Sequence, residues 1–203
     1  MAQTEAPAVV ATTVATTVAA TAVRARPTRE EREFLAATAQ LTADYAGTID
    51  DDRLEAWPDY FAPECLYRIE TREGRASGWP IGLMHCEGLA MLRDRVLAIR
   101  HGNVFDPHTY RHVVSLPRFA PGAAPGPAAA TGAQAASGTE LACARRVLTS
   151  FNVTRVMKTG EMTLFAAGTY DDVFVEIDGC LLLQERTVVL DSRNLDTLLV
   201  IPI

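Results

Sequence analysis

The chain has 203 residues and a formal net charge of −6, long enough for one substantial core and short for two. No basic run exceeds Arg145-Arg146, so the concentrated positive surface that neutralises phosphates is missing and a nucleic-acid partner is disfavoured. No window is long and apolar enough to span a bilayer, which argues against a membrane protein.

Residues 1–23 are mostly Ala, Thr and Val, with no charge before Glu5 and a first Arg at Arg24. A secretory signal needs positive charge ahead of its apolar core, so 1–27 reads as a disordered low-complexity tail, with an organelle-targeting peptide as the alternative. The folded part is expected as a single domain over 28–203. Thr28 with Glu30 and Glu31 marks a helix start, and Phe34, Leu35, Thr38, Leu41, Tyr45 and Ile49 recur at helical spacing. Asp50-Asp51-Asp52 is expected to cap a second, short helix in which Leu54 and Trp57 face inward and Pro58 lies near the end. The aromatic group Trp57, Tyr60 and Phe61 suits the anchoring of helix against sheet.

Cys65–Thr71 alternates as a strand, and 72–80, with Gly74, Gly78 and Pro80, reads as a loop. Leu89, Leu92, Val96 and Ile99 form the stripe of a third helix, which Gly102 stops. Tyr110–Leu116 is extended. Residues 120–140, rich in Pro, Gly and Ala, have few groups to bury and read as a flexible insertion between strands. From Cys143 the sheet resumes: Phe151, Val153, Arg155 and Met157 share one face, Lys158–Glu161 turns the chain, and Met162–Val175 follows. Asp178-Gly179 sits between two apolar runs, the signature of a tight hairpin. Beyond it, Leu181, Leu183, Glu185, Thr187 and Val189 are expected on one face, and Leu182, Gln184, Arg186 and Val188 on the other. Residues 198–203 alternate like a last strand, and an apolar stretch of this kind docks on its own sheet or on a neighbouring subunit.

The residues that could carry chemistry are scattered. Cys65, Cys86, Cys143 and Cys180 form no CxxC or CxH pair and are expected as separate buried thiols in a reducing cytoplasm; their even count leaves disulfides open. The histidines are His85, His101, His108 and His112. Asp106, His108 and His112 superficially offer the two imidazoles and a carboxylate of a non-haem iron site. An extended chain spreads residues four apart by roughly 13 Å, however, which favours hydrogen-bonded structural histidines. Acid–base work in a concave sheet would fall to Tyr45, Asp59, His85 or His112. Arg68, Arg95, Arg111, Arg155 and Arg186 could pair with carboxylates, including across a subunit interface. Phosphate-cradling glycine loops, GxSxG and HExxH are all absent.

Several stretches together carry a resemblance. They are Tyr45–Asp50 with Trp57-Pro58 and Phe61; Cys65–Arg68; Met91–Val96 followed by Tyr110-Arg111-His112; and Phe151–Val153 through Gly168–Tyr170 to Leu183–Arg186. Over roughly residues 30–203 the chain resembles the beta (small) subunit of bacterial aromatic-ring-hydroxylating dioxygenases, and within that family is most similar to the terephthalate type. The resemblance implies an α+β cone, a strongly curved, mainly antiparallel mixed sheet packed on N-terminal helices, as in the nuclear-transport-factor and scytalone-dehydratase group. It implies a non-catalytic structural role, with no catalytic, cofactor-binding or metal-binding residue in this chain. The partner would be a large (alpha) subunit in an α3β3 hexamer, carrying a Rieske 2Fe-2S cluster and mononuclear Fe(II). A reductase would supply electrons from NAD(P)H for cis-dihydroxylation of an aromatic carboxylate such as terephthalate. The long Ala/Thr-rich start and the 120–140 insertion depart from the pattern. The alternatives are a stand-alone cone-fold dehydratase or isomerase using a pocket His, Asp or Tyr, and a small-molecule binding module.

Overall fold

A computed structural model describes residues 26–80, 82–121, 142–193 and 199–203. All but the last two residues of the expected 1–27 tail, and nearly all of the 120–140 insertion, therefore lie outside the described residues. Helix α1 (Arg29–Asp50) begins with a reciprocal capping box. The Thr28 hydroxyl accepts from the Glu31 N–H at 3.2 Å, and the Glu31 carboxylate accepts from the Thr28 N–H at 2.7 Å. Its buried face carries Thr38, Thr42, Tyr45, Ala46, Thr48 and Ile49. Three threonines are tolerated there because hydroxyls find partners: Thr38 donates to the Leu35 carbonyl at 2.9 Å, Thr42 accepts from the Arg186 guanidinium at 3.4 Å, and Thr48 shares a 2.8 Å bond with the Tyr60 hydroxyl.

The next element is a 3₁₀ helix, Leu54–Tyr60, and it follows Arg53 without any side-chain cap. The expected capping by Asp50–Asp52 is thus corrected. Asp50 closes α1, and Asp52 takes a positive φ of 54° in the turn, a conformation that Asp tolerates better than most residues. Strand β1 (Phe61–Thr71) runs into a short helix α2 (Arg72–Ala76), where a loop was expected. Thr71 caps α2 by accepting from the Gly74 N–H at 3.0 Å. Gly74 looked like a loop breaker, but it is buried against the Trp79 ring, which a Cβ there would meet at 3.0 Å. Strand β2 (Met84–Glu87) then pairs with β1 and leads into α3 (Gly88–Leu97), which continues as a wider turn to Gly102 and buries Leu92, Val96 and Ile99 as expected.

The remaining strands are β3 (His108–Val114), β4 (Arg118–Phe119), β5 (Ala142–Met157), β6 (Met162–Ile177) and β7 (Cys180–Leu190). Their order in the sheet is β2-β1-β7-β6-β5-β3, with β4 also on β5. Only the β1–β7 pairing is parallel among these described strands, which makes the sheet mixed. The hairpin at Asp178-Gly179 has φ values of 51° and 77°, and paired positive values match the twist of the flanking strands. Helices α1 and α3 and the 3₁₀ helix cover the concave face, giving the cone. Its core packs Tyr45, Trp57, Tyr67, Leu92, Phe151, Tyr170, Leu183 and Leu190.

Two strand expectations change. Val173 pairs with Glu185 while Phe174 pairs with Leu183, so Gln184 is an extra residue in β7. This bulge breaks the strict alternation and puts Leu183 in the same core as Val188 and Leu190. Residues 199–203 form turns rather than a strand; Leu198 lies outside the described residues. The apolar segment docks on its own core, with Ile201 and Ile203 buried beside Tyr45 and Tyr67.

Candidate functional site

The polar groups inside the cone come from residues far apart in sequence. Register places Asp172 of β6 opposite Arg186 of β7, and Arg186 opposite Tyr67 of β1. The Arg186 Nε donates to Asp172 Oδ1 at 2.9 Å and its Nη2 to Oδ2 at 2.7 Å, with both side chains fully buried. The guanidinium lies 4.0 Å from the Tyr45 ring centre and 4.3 Å from that of Tyr170, sandwiched between two π faces. Burial opposes the Arg186 charge, but Asp172 more than compensates and holds its pKa above the ordinary value. The same burial pushes the Tyr45, Tyr67 and Tyr170 hydroxyls up, so all three are neutral donors at physiological pH.

A second buried pair joins α1 to β3. The Nδ1–H of His112 donates to Asp50 Oδ1 at 2.6 Å and the His112 main-chain N–H to Oδ2 at 2.9 Å. The imidazole is 0% exposed and the carboxylate 4%. Asp50 did not stand out in the sequence because its partner is 62 residues away. Of the four acid–base candidates, the structure brings Tyr45 and His112 inside, while Asp59 is exposed and His85 lies on the surface with Glu87 at 2.8 Å.

The superficial iron ligands do not converge. His108 Nδ1 bonds the Asp106 main-chain carbonyl at 2.7 Å, whereas His112 turns to Asp50. Among the described residues no group of three or more His, Cys, Asp or Glu gathers as a metal site. His101 is exposed. Cys65 and Cys86 are free buried thiols, burial pushing Cys65 up to about 11 and Cys86 upward as well. Cys180 departs from the expectation of burial, because it follows the tight turn and is exposed; the Cys143 side chain is outside what is described. The five arginines also separate. Arg186 is sealed inside, Arg95 donates to the Val200 carbonyl at 2.6 Å, Arg68 pairs with Glu185 at 3.1 Å, Arg155 lies over Phe165, and Arg111 is 68% exposed.

On the sheet, Asp171 accepts from Arg146 Nε at 2.6 Å and from Arg75 Nη2 at 2.7 Å. Burial alone would raise its pKa, but the two guanidiniums outweigh that and hold it below the ordinary carboxylate value. A depressed folded-state pKa stabilises the fold above about pH 4 and loses that contribution as pH falls through the folded value. The melting-temperature gap between the native chain and Asp171→Asn should therefore be full near about pH 6 and close progressively below about pH 4. A gap independent of pH in thermal melts would contradict this.

A cone with helices over a curved mixed sheet defines the fold class. The structure aligns with a scytalone-dehydratase-like protein from Novosphingobium aromaticivorans at TM-score 0.53 and 13% identity, covering 79% of this chain and 86% of that one, which speaks for the fold alone. It aligns at TM-score 0.68 and 31% identity with the crystal structure of an aromatic-ring-hydroxylating dioxygenase beta subunit from the same organism, covering 85% and 98%. In sequence the chain is 38% identical over 165 residues to beta subunit 1 of the terminal oxygenase component of terephthalate 1,2-dioxygenase from Comamonas sp., spanning 81% of this chain and 96% of the relative. It is 34% identical over 159 residues to the anthranilate 1,2-dioxygenase small subunit from Burkholderia cepacia, spanning 78% and 88%. No protein-family model matches the chain. The chain belongs to the beta, or small, subunits of aromatic-ring-hydroxylating dioxygenases.

Proposed function

We propose that this chain is the structural small subunit of a terminal oxygenase, holding large subunits in an α3β3 assembly that cis-dihydroxylates an aromatic carboxylate. The observation that carries the reading is the match to a terminal-oxygenase beta subunit over 96% of that relative's length. The large subunit would hold the Rieske cluster and the mononuclear iron, with a reductase drawing on NAD(P)H. In this chain, the histidines that could ligate or act as bases are engaged by Asp50, Glu87 or a main-chain carbonyl. The terephthalate and anthranilate names of the relatives both denote aromatic carboxylates, which supports that substrate class. No helix among the described residues is long and apolar enough to cross a membrane, and we place the complex in the cytoplasm.

Native mass spectrometry of the chain, alone and coexpressed with its candidate large subunit, tests this when iron and acid-labile sulfide are assayed on both samples. The expected result is a mixed hexamer whose metal arrives only with the partner. A stable homo-oligomer that ignores the large subunit would overturn the reading.

A further inference from the structure

The outer face of the sheet changes character along its length. Across β1, β7 and the middle of β6 it is polar, as an outward face of a sheet should be: Arg68 meets Glu185 at 3.1 Å, and Asp171 meets both Arg146 and Arg75. Toward the β5–β6 turn the charge gives out. Register sets Arg111 of β3, Thr154 of β5 and Leu164 of β6 in one row, Thr109, Val156 and Met162 in the next, and Val113 beside Asn152. Tyr110 and Val153, which alternate with these residues, lie in the core, so the eight side chains of the rows point outward. Met162 and Leu164 are each 70% exposed and Val113 is 64% exposed. Together these three leave on the order of 300 Å² of apolar surface in water, a patch size that is often functional.

Arg111 is the only charged group among the eight. It approaches Asp50 at 3.7 Å, but both Asp50 oxygens already accept from His112, and the Arg111 side chain is 68% exposed. A second copy of this chain laid on the same face would bring no carboxylate from these rows to meet it. The turn beyond them carries one charge of each sign, Lys158 and Glu161. We propose that this end of the outer face docks the large oxygenase subunit, on a surface that offers an apolar strip and an acidic side chain placed for Arg111. Burial of Val113, Met162 and Leu164 supplies attraction, and the rigid guanidinium fork fixes the orientation. A stable interface covers about 800 Å² per partner, so these rows form the apolar centre of a wider contact.

This docking surface rests on the small-subunit reading, and the two fail separately. The native chain, Leu164→Arg, Arg111→Gln and Leu97→Arg are each coexpressed with the large subunit, and dissociation of the purified complex on dilution is followed at low and high salt. Leu97, 56% exposed on α3, is the reference because it belongs to the helix layer on the other side of the sheet. Leu164→Arg should weaken the complex about thirtyfold, the scale of a disrupted hot spot. Arg111→Gln should weaken it about fivefold and reduce its salt dependence, whereas Leu97→Arg should match the native chain. A footprint on the native chain keeps the test decisive if a variant does not fold: peroxide should convert Met162 to the sulfoxide about tenfold faster in the free chain than in the complex. A native complex that Leu164→Arg leaves as tight, or in which Met162 oxidises as fast as in the free chain, would overturn this surface while the assembly reading stands. Failure of the native chain to bind the large subunit would overturn both. Loss of a homo-oligomer rather than of the mixed complex in Leu164→Arg would refute the choice of partner.

Discussion

Asp172→Ala should lower the unfolding free energy by about 3–5 kcal/mol, the cost of stranding a buried cation without its partner. Arg186 cannot reach water, since its side chain is fully buried between Tyr45 and Tyr170, and it cannot shed its proton at accessible pH. Such a loss is a large share of the roughly 5–15 kcal/mol that holds a typical domain together. The pair itself is a weak source of net stability, because desolvating two charges offsets most of their attraction. Replacing both residues with apolar ones, Asp172→Leu with Arg186→Met, should therefore recover most of what the single change loses, less the contribution of the two π faces. Urea unfolding of the three chains measures this. A single variant within about 1 kcal/mol of the native chain, or a double variant less stable than the single, would refute the account.

Gly168→Ala is the second large effect, and it arises from backbone rather than charge. Gly168 of β6 pairs with Leu190 of β7, and a Cβ built on it lands on the Val189 carbonyl oxygen and crowds Leu190 Cα at 3.2 Å. No rotamer relieves a clash with main chain, so the two central strands must separate. Overpacking typically costs about 1–3 kcal/mol, and this position should reach about 3 kcal/mol or more. Gly47→Ala provides the opposite case. Gly47 lies in the interior of α1, its added Cβ meets nothing within 4 Å, and helix propensity should favour Ala there by about 1 kcal/mol. If equilibrium unfolding moves both variants in the same direction, steric contact at Gly168 is not the cause.

Much of the fold was legible in local signals. The start of α1 follows from Thr28 and Glu31, the β6–β7 hairpin from Asp178-Gly179, and the buried stripe of α3 from Leu92, Val96 and Ile99. Each depends on groups within a few residues, where periodicity and backbone preference act directly. Short elements were harder to see. Helix α2 and strand β2 are five and four residues long, too few for a period to emerge, and Gly74 mimicked a loop although its small size serves packing against Trp79.

The polar interior was the least legible part. His112 and Tyr45 could be named as residues with suitable chemistry, but Asp50 looked like a cap, and Arg186 looked available to a partner subunit. Which carboxylate meets which base depends on strand register and on how α1 crosses the sheet. The sequence by itself determined the start of α1, the long antiparallel finish, its hairpin turns and, through its resemblance, the family. Tertiary structure alone decided that Arg186 faces Asp172 rather than solvent, that Gln184 shifts the face of β7, and that 199–203 folds back onto Tyr45 and Tyr67. These contacts join residues up to 158 positions apart, and at that separation only the packing of helices and chain end onto the assembled sheet brings the groups together.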